Sequence, residues 1–266
     1  MASLRPVQSV LAFLTILPSS SGKQQKQNHD IHYVAKNMYL FPVAGLVIGT
    51  IVGAMALGIS VAGLHPLLIG LLVAGALVII TGVHHTDALA DFADGLMAKG
   101  GKEVKRKAML DPAVGSAGVA ALVMYFAGMI IVFQAGFSSS LAIFTSIITA
   151  EVIAKYVMVL LANRGLSAWE GFSSPFTAAM KDRRRMAAAT AIMLGIVWLA
   201  SSYAGLIALG VSLAIAGLMK YVSGKSFGGI SGDVLGASNE MTRLSSLIVL
   251  SLLPPSLPTM MILWWW

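Results

Sequence analysis

The stretch Arg185-MAAATAIMLGIVWLASSYAGLIALGVSLAIAGLM-Lys220 decides how this chain is organised, because no charged side chain interrupts it between its ends. As one straight α-helix it would rise about 51 Å, against a hydrocarbon core of about 30 Å. It is therefore read as two spans, turning at the small and polar residues 201–205. Other apolar runs occur at 38–57, 66–83, 113–133, 141–161 and 244–262, so the split gives about seven spans.

Composition agrees. Of 266 residues, 57% are hydrophobic and 11% charged, with a mean hydropathy of +0.84. A soluble domain carries roughly 25% charged residues to keep its surface wet. A soluble enzyme, a disordered tail and a nucleic-acid-binding module are excluded, although the net charge of +7 in a soluble chain would have hinted at nucleic acid. There is no cysteine, which removes disulfides and thiolate metal sites. The expected fold is an all-α polytopic membrane bundle, embedded in the lipid bilayer.

The split can be checked against charge. With the N-terminus inside, the inner segments are 1–37, 84–112, 162–185 and 220–243, and they hold every Lys and Arg except Lys155. That bias is the positive-inside pattern. Without the turn at 201–205, segments 84–112 and 220–243 would lie on opposite faces and their acids could not meet. Gly45, Gly49 and Gly53 at four-residue spacing suit a closely packed helix pair. Pro254 and Pro255 should bend the last span, Trp264 to Trp266 suit an interfacial anchor, and 19–28 reads as a polar mobile segment.

Only 11 acidic residues exist, so their clustering is informative. The first motif is Thr81-Gly-Val-His-His-Thr-Asp87-Ala-Leu-Ala-Asp91-Phe-Ala-Asp94-Gly95. Asp87, Asp91 and Asp94 share one helical face, where like charges repel unless a cation neutralises them. A solvated helix face is the plainer alternative. The apolar residues between the carboxylates, Ala88, Leu89, Ala90, Phe92 and Ala93, favour a buried helix with one acidic stripe. Oxygen donors favour a hard ion such as Mg²⁺, which takes carboxylates together with substrate phosphate oxygens.

The second motif is Phe227-Gly228-Gly229-Ile-Ser231-Gly232-Asp233-Val-Leu-Gly236-Ala-Ser-Asn239-Glu240. Asp233 and Glu240, seven apart, again share a face. Gly228, Gly229 and Gly232 offer backbone that a ligand can approach, and amide donors at a helix start suit phosphate. Between the motifs, Asp111 before Pro112 is a helix cap or a further acidic ligand. Arg106 and Lys225 are candidate substrate-binding bases, although the bases around 102–107 also serve as topology signals. Lys181 and Arg183 to Arg185 read as an anchor to anionic lipid. Glu151 lies inside a span with Lys155 one turn on, most simply a local ion pair, with a proton relay or substrate contact as the sharper alternative. His85 is read as a polar contact or proton partner.

Together with Phe13-Leu-Thr-Ile-Leu-Pro18, Phe41-Pro-Val-Ala-Gly45, and Asp111 followed by Gly115 and Gly118, these motifs resemble the adenosylcobinamide-GDP ribazoletransferase family, also called cobalamin (5′-phosphate) synthase. The similarity runs from near residue 10 to about residue 243. Val83 and Ala88 stand where the family more often has glycine, Ser231 where it has threonine, and Ala113 where an arginine commonly follows the acid.

The resemblance implies a Mg²⁺-dependent transferase that joins adenosylcobinamide-GDP to α-ribazole, or to its 5′-phosphate, and releases GMP in late cobalamin assembly. On that reading Asp87, Asp91, Asp94 and Asp233 hold metal against the diphosphate, and an Asp or His85 accepts the hydroxyl proton. Asp87, Asp91, Asp94 and His85 are then the catalytic set; Gly228, Gly229, Gly232, Glu240, Asp111, Arg106 and Lys225 contact substrate. Residues 1–266 form one catalytic domain, with 1–37 an inner segment and 38–266 the helical core. The site faces the cytoplasm from the cell membrane. A homo-oligomer, or contact with other late-pathway enzymes, is compatible with this reading. Two rival readings are a CDP-alcohol phosphotransferase, whose upstream Asp-Gly and Ala-Arg elements are missing before Asp87, and a secondary transporter, for which no inverted repeat is present.

Overall fold

The computed structural model describes residues 4–16 and 31–253. In chain order these form α1 (Arg5–Leu14), α2 (Ile31–Lys36), a short 3-10 turn (Met38–Leu40) running into α3 (Phe41–Val61), α4 (Pro66–Thr81), α5 (His84–Met97), α6 (Lys102–Met109) and α7 (Ser116–Ala135). Then follow α8 (Ser140–Arg164), α9 (Ser174–Ala179), α10 (Arg183–Ser226) and α11 (Gly232–Leu252). Among the described residues there is no sheet, only one isolated parallel bridge between Ser167 and Ile230. The expectations at 19–28, at Pro254 and Pro255 and at Trp264 to Trp266 lie outside the described residues.

The charge-free run breaks where its composition places the turn. Ser202 has φ 47° and ψ −132°, outside the helical region, in the middle of α10. A first side-chain carbon on Gly205 would lie 2.6 Å from a Val197 methyl. In a straight helix those two residues would stand about 12 Å apart along the axis. The two arms therefore fold back on each other, and Gly205 makes room at the bend.

Helix α8 is the hub. Val152, Ile153, Ala154, Val157 and Val159 are fully buried, and α3, α10 and α11 pack around it. The seam with α3 is built on the glycine stripe. A side chain would start 2.6 Å from the Glu151 carbonyl oxygen at Gly45, 2.7 Å from the Ile148 Cα at Gly49 and 3.0 Å from the Phe144 ring at Gly53. The closest atoms at Gly45 and Gly49 are backbone, so nothing there can give way.

Four helices are long and apolar enough to cross a membrane: Met38–Val61, Ser116–Ala135, Ser140–Arg164 and Arg183–Ser226. The bent pair α4 and α5 makes a fifth if taken as one broken span. The expected seven takes the two arms of α10 separately and adds a last span that begins in α11 and runs into the residues beyond 253.

The corner between α4 and α5 turns the chain by 95°. Gly82 ends α4 in the left-handed conformation at φ 67°, and Val83 repeats it at φ 68°. Two consecutive left-handed residues swing α5 out of the line of α4, and the acidic motif lies along it.

Candidate active site

Three segments that are far apart in sequence meet at one end of the bundle. Gly236 of α11 packs on Ala88 of α5 so closely that a side chain at 236 would collide with the Ala88 methyl. Phe227, just before the glycines, packs edge-on against Phe92 of α5 with ring centres 5.8 Å apart. A side chain on Gly229 would start 2.5 Å from the Leu166 carbonyl oxygen. There Ala168 N donates to Ile230 O (3.0 Å) and Ile230 N to Leu166 O (2.8 Å), which ties the glycine turn to the loop after α8.

These contacts enclose a cavity of about 680 Å³ whose lining includes Asp87, Asp233, His85, Gly232, Phe172 and Trp169. Asp87 and Asp233 thus face one space from two helices. Asp91 is pushed up to about 6, first by burial and then by the charges of Asp87, Asp233 and Asp94. Asp233 is also raised, chiefly by burial, with Asp87 contributing. The α11 start is capped by Ser231, whose hydroxyl accepts from Val234 N (3.2 Å) and lies 3.5 Å from Asp233 Oδ2.

Mutual repulsion among oxygen donors is the chemistry that suits a hard divalent cation. The shell is not preformed, however. Among the described residues no three His, Asp or Glu side chains converge closely enough to hold an ion. Asp94 in particular is already engaged: Oδ2 accepts from Gly115 N (2.7 Å) and Oδ1 from Gly118 N (2.8 Å). Its carboxylate closes the N-terminus of α7, the helix end that Asp111 was expected to cap. Asp111 instead accepts from Ala113 N (2.9 Å) in the exposed loop before it.

The other expected substrate contacts divide. Gly232 lines the cavity, and Arg106 lies over the ring of Trp169 at its wall, 4.4 Å from the ring centre. Gly229 is spent on the loop contact described above. Gly228, at φ 88°, turns the chain beside Lys102, whose Nζ would be 3.9 Å from a side chain there. Lys225 is exposed and sits over Tyr221 at 4.6 Å, outside the cavity lining.

Glu240 is a correction. It is fully buried and is not among the residues lining the cavity. Its partner is Arg243, which bridges Glu240 and Glu151 by short ion pairs and donates to the Tyr125 hydroxyl (2.9 Å). Lys155 stands 3.8 Å from Glu151 and donates to Asn239 Oδ1 (2.7 Å), and Asn239 donates to Glu240 (2.9 Å). The Glu151–Lys155 pair is therefore present but belongs to a larger network. His85 joins this network to the cavity: it lines the cavity, and its Nδ1, which has no hydrogen-bond partner, lies 4.0 Å from Glu240 Oε1.

Sequence reasoning missed Arg243, counting it as one more inner-face base. Its position three residues after Glu240, at the start of an apolar run, was the available signal. It also missed the aromatic wall formed by Phe13, Phe41, Phe172 and Phe176. Aromatic residues at 169, 172 and 176 in an otherwise small and polar inner segment were the trace of that wall.

A family model described as cobalamin-5-phosphate synthase matches residues 6–251. A protein from Archaeoglobus fulgidus named adenosylcobinamide-GDP ribazoletransferase is 31% identical, covering 94% of this chain and 98% of its own. Proteins of the same name from Methanocella arvoryzae and Pyrococcus abyssi are 30% and 31% identical, each covering at least 92% of this chain and 95% of their own. No solved structure matches.

Proposed function

The chain belongs to the cobalamin-5-phosphate synthase family, and from that premise we propose that it is an adenosylcobinamide-GDP ribazoletransferase. It joins adenosylcobinamide-GDP to α-ribazole or its 5′-phosphate and releases GMP. The observation that carries this reading is the meeting of Asp87 on α5 and Asp233 on α11 across one cavity, with Asp91 raised to about 6 by burial and by their charge.

Attack of a ribose hydroxyl on a diphosphate needs the two brought together in line and the developing negative charge offset. Asp87, Asp91 and Asp233 are the residues that would hold Mg²⁺. A bound Mg²⁺ supplies charge neutralisation on the diphosphate and on the leaving GMP. Asp94 keeps α7 docked on α5 and so fixes the height of the acidic stripe. His85 or a carboxylate at the cavity wall takes the hydroxyl proton. Arg106, at the rim over Trp169, gives a phosphate a cation to approach. The bias of Lys and Arg towards the segments that build this end supports a cell-membrane enzyme with its site on the cytoplasmic face.

The test is turnover by protein purified in detergent, with adenosylcobinamide-GDP, each form of ribazole and Mg²⁺, followed by product mass. The expected products are the joined corrinoid and GMP, with turnover lost in EDTA. Asp91→Asn should abolish transfer while the protein remains folded; an active Asp91→Asn enzyme overturns the metal assignment.

A further inference from the structure

We propose that the aromatic end of the cavity is the subsite for the benzimidazole base of α-ribazole, seated on Phe172 with the ribose directed towards Asp233. The inference rests on the functional reading above and names which part of which substrate each end of the cavity takes.

The wall has a buried backing and an open platform. Phe41 and Phe176 are 1% and 2% exposed, whereas Phe172 is 55% exposed. Phe13 joins them, lying nearly parallel to Phe172 (5.9 Å, 17°) and tilted against Phe176 (5.5 Å) and Phe41 (6.3 Å). A flat ring laid on Phe172 continues this stack and covers apolar area that is now open, the arrangement by which aromatic side chains hold nucleobases.

Position then fixes direction. A side chain on Gly232 would start 3.0 Å from the Phe172 ring, so the platform adjoins the residue before Asp233. A nucleoside whose base occupies the platform has its sugar beside the carboxylates, where the attacking hydroxyl is needed.

Polarity selects the base. The hydroxyl protons that line the cavity are committed, Thr15 to Leu11 O (2.7 Å), Thr81 to Leu77 O (2.8 Å) and Ser173 to Ile230 O (3.0 Å), and among the polar groups that remain, His85, Asp87 and Asp233 are those the ribose hydroxyl and the diphosphate need. Guanine, the other flat ring among the substrates, brings carbonyl and ring-nitrogen acceptors and amino donors, and burying these without partners is costly. Benzimidazole has one free ring nitrogen and an apolar edge, and loses little against phenylalanine.

Two measurements test this. In the first, Trp169 fluorescence is titrated with α-ribazole in the absence of the second substrate, with Trp169→Phe identifying the signal. Quenching is expected, and Phe172→Ala should weaken binding about tenfold or more while Phe172→Tyr retains it. Guanosine should neither quench nor compete. In the second, steady-state turnover of Phe172→Ala should show KM for ribazole raised by a similar factor with KM for adenosylcobinamide-GDP unchanged. Unchanged ribazole binding in Phe172→Ala, or a rise confined to the KM for adenosylcobinamide-GDP, overturns the subsite while leaving the transferase reading intact. A wild-type protein that binds ribazole at Trp169 but turns over neither form overturns the transferase reading and leaves the subsite standing.

Discussion

Val83 carries a strained backbone for the sake of a corner. A β-branched residue at φ 68° sits where left-handed geometry costs roughly 1–2 kcal/mol. Glycine at this position removes that cost but adds freedom to the unfolded chain. Val83→Gly should stabilise the protein by a net of about 0.5–1 kcal/mol, read as a higher thermal midpoint in detergent. Asp91 makes a second prediction at this scale. Its folded value of about 6 lies above its ordinary 3.8. Stability from this group is therefore complete below about pH 4 and is lost as pH rises through about 6. In EDTA the midpoint should fall across that window, Mg²⁺ should restore it at pH 7, and Asp91→Asn should flatten the slope; a slope unchanged in Asp91→Asn would assign it to other groups.

At the scale of elements, glycine placement separates contacts that cannot yield from positions that can. A side chain on Gly236 would collide with the Ala88 methyl and start 3.6 Å from the His85 Cα, whereas one on Gly210 in α10 would meet nothing within 4 Å. Overpacking costs about 1–3 kcal/mol, and a displacement of about 1 Å between reacting groups can cost ~10²-fold in rate. Gly236→Val should push α5 from α11, moving Asp87 and Asp91 away from Asp233, so activity should drop by about 10²-fold or more while the fold survives. Gly210→Ala should leave activity unchanged and stability equal or higher. The elements themselves were legible where local chemistry decides them: the apolar runs, the turn at 201–205, the acidic face of α5 and the glycine stripe of α3. Asp94 was not, because a carboxylate three residues from Asp91 has the same spacing whether it faces an ion or the amides of α7. Only the tertiary approach of Gly115 and Gly118 distinguishes the two.

Across the whole molecule, the buried network is what ties the hub to the site. Arg243 faces two acids, Glu151 on α8 and Glu240 on α11, with Lys155 completing a balance of two acids and two bases. Removing one member of a buried ion pair costs about 3–5 kcal/mol. Arg243→Met should cost that much, and adding Glu240→Gln should recover part of it, because Glu151 and Lys155 then remain as a balanced pair. A double variant no more stable than Arg243→Met would show that charge balance is not what the network contributes. This level was hidden in the sequence. Glu151 and Arg243 are 92 residues apart, and only the packing of α11 on α8 turns an expected inner-face base into the centre of a buried cluster.

The same balance bears on how the chain enters the bilayer. Helix α8 carries Glu151 and Lys155 one turn apart, and α11 carries Glu240 and Arg243 at i,i+3. Each helix thus brings its own acid and base, close enough to neutralise each other while the rest of the protein is still being made. Emerging from the ribosome well before α11, α8 can partition into lipid as a self-compensated segment, avoiding the cost of a lone charge in hydrocarbon. When α11 arrives, Glu151 takes Arg243 as a second partner and Lys155 takes Asn239. The folded network then adds partners between helices to pairs that each helix already carries, Glu151 keeping Lys155 at 3.8 Å and Glu240 keeping Arg243.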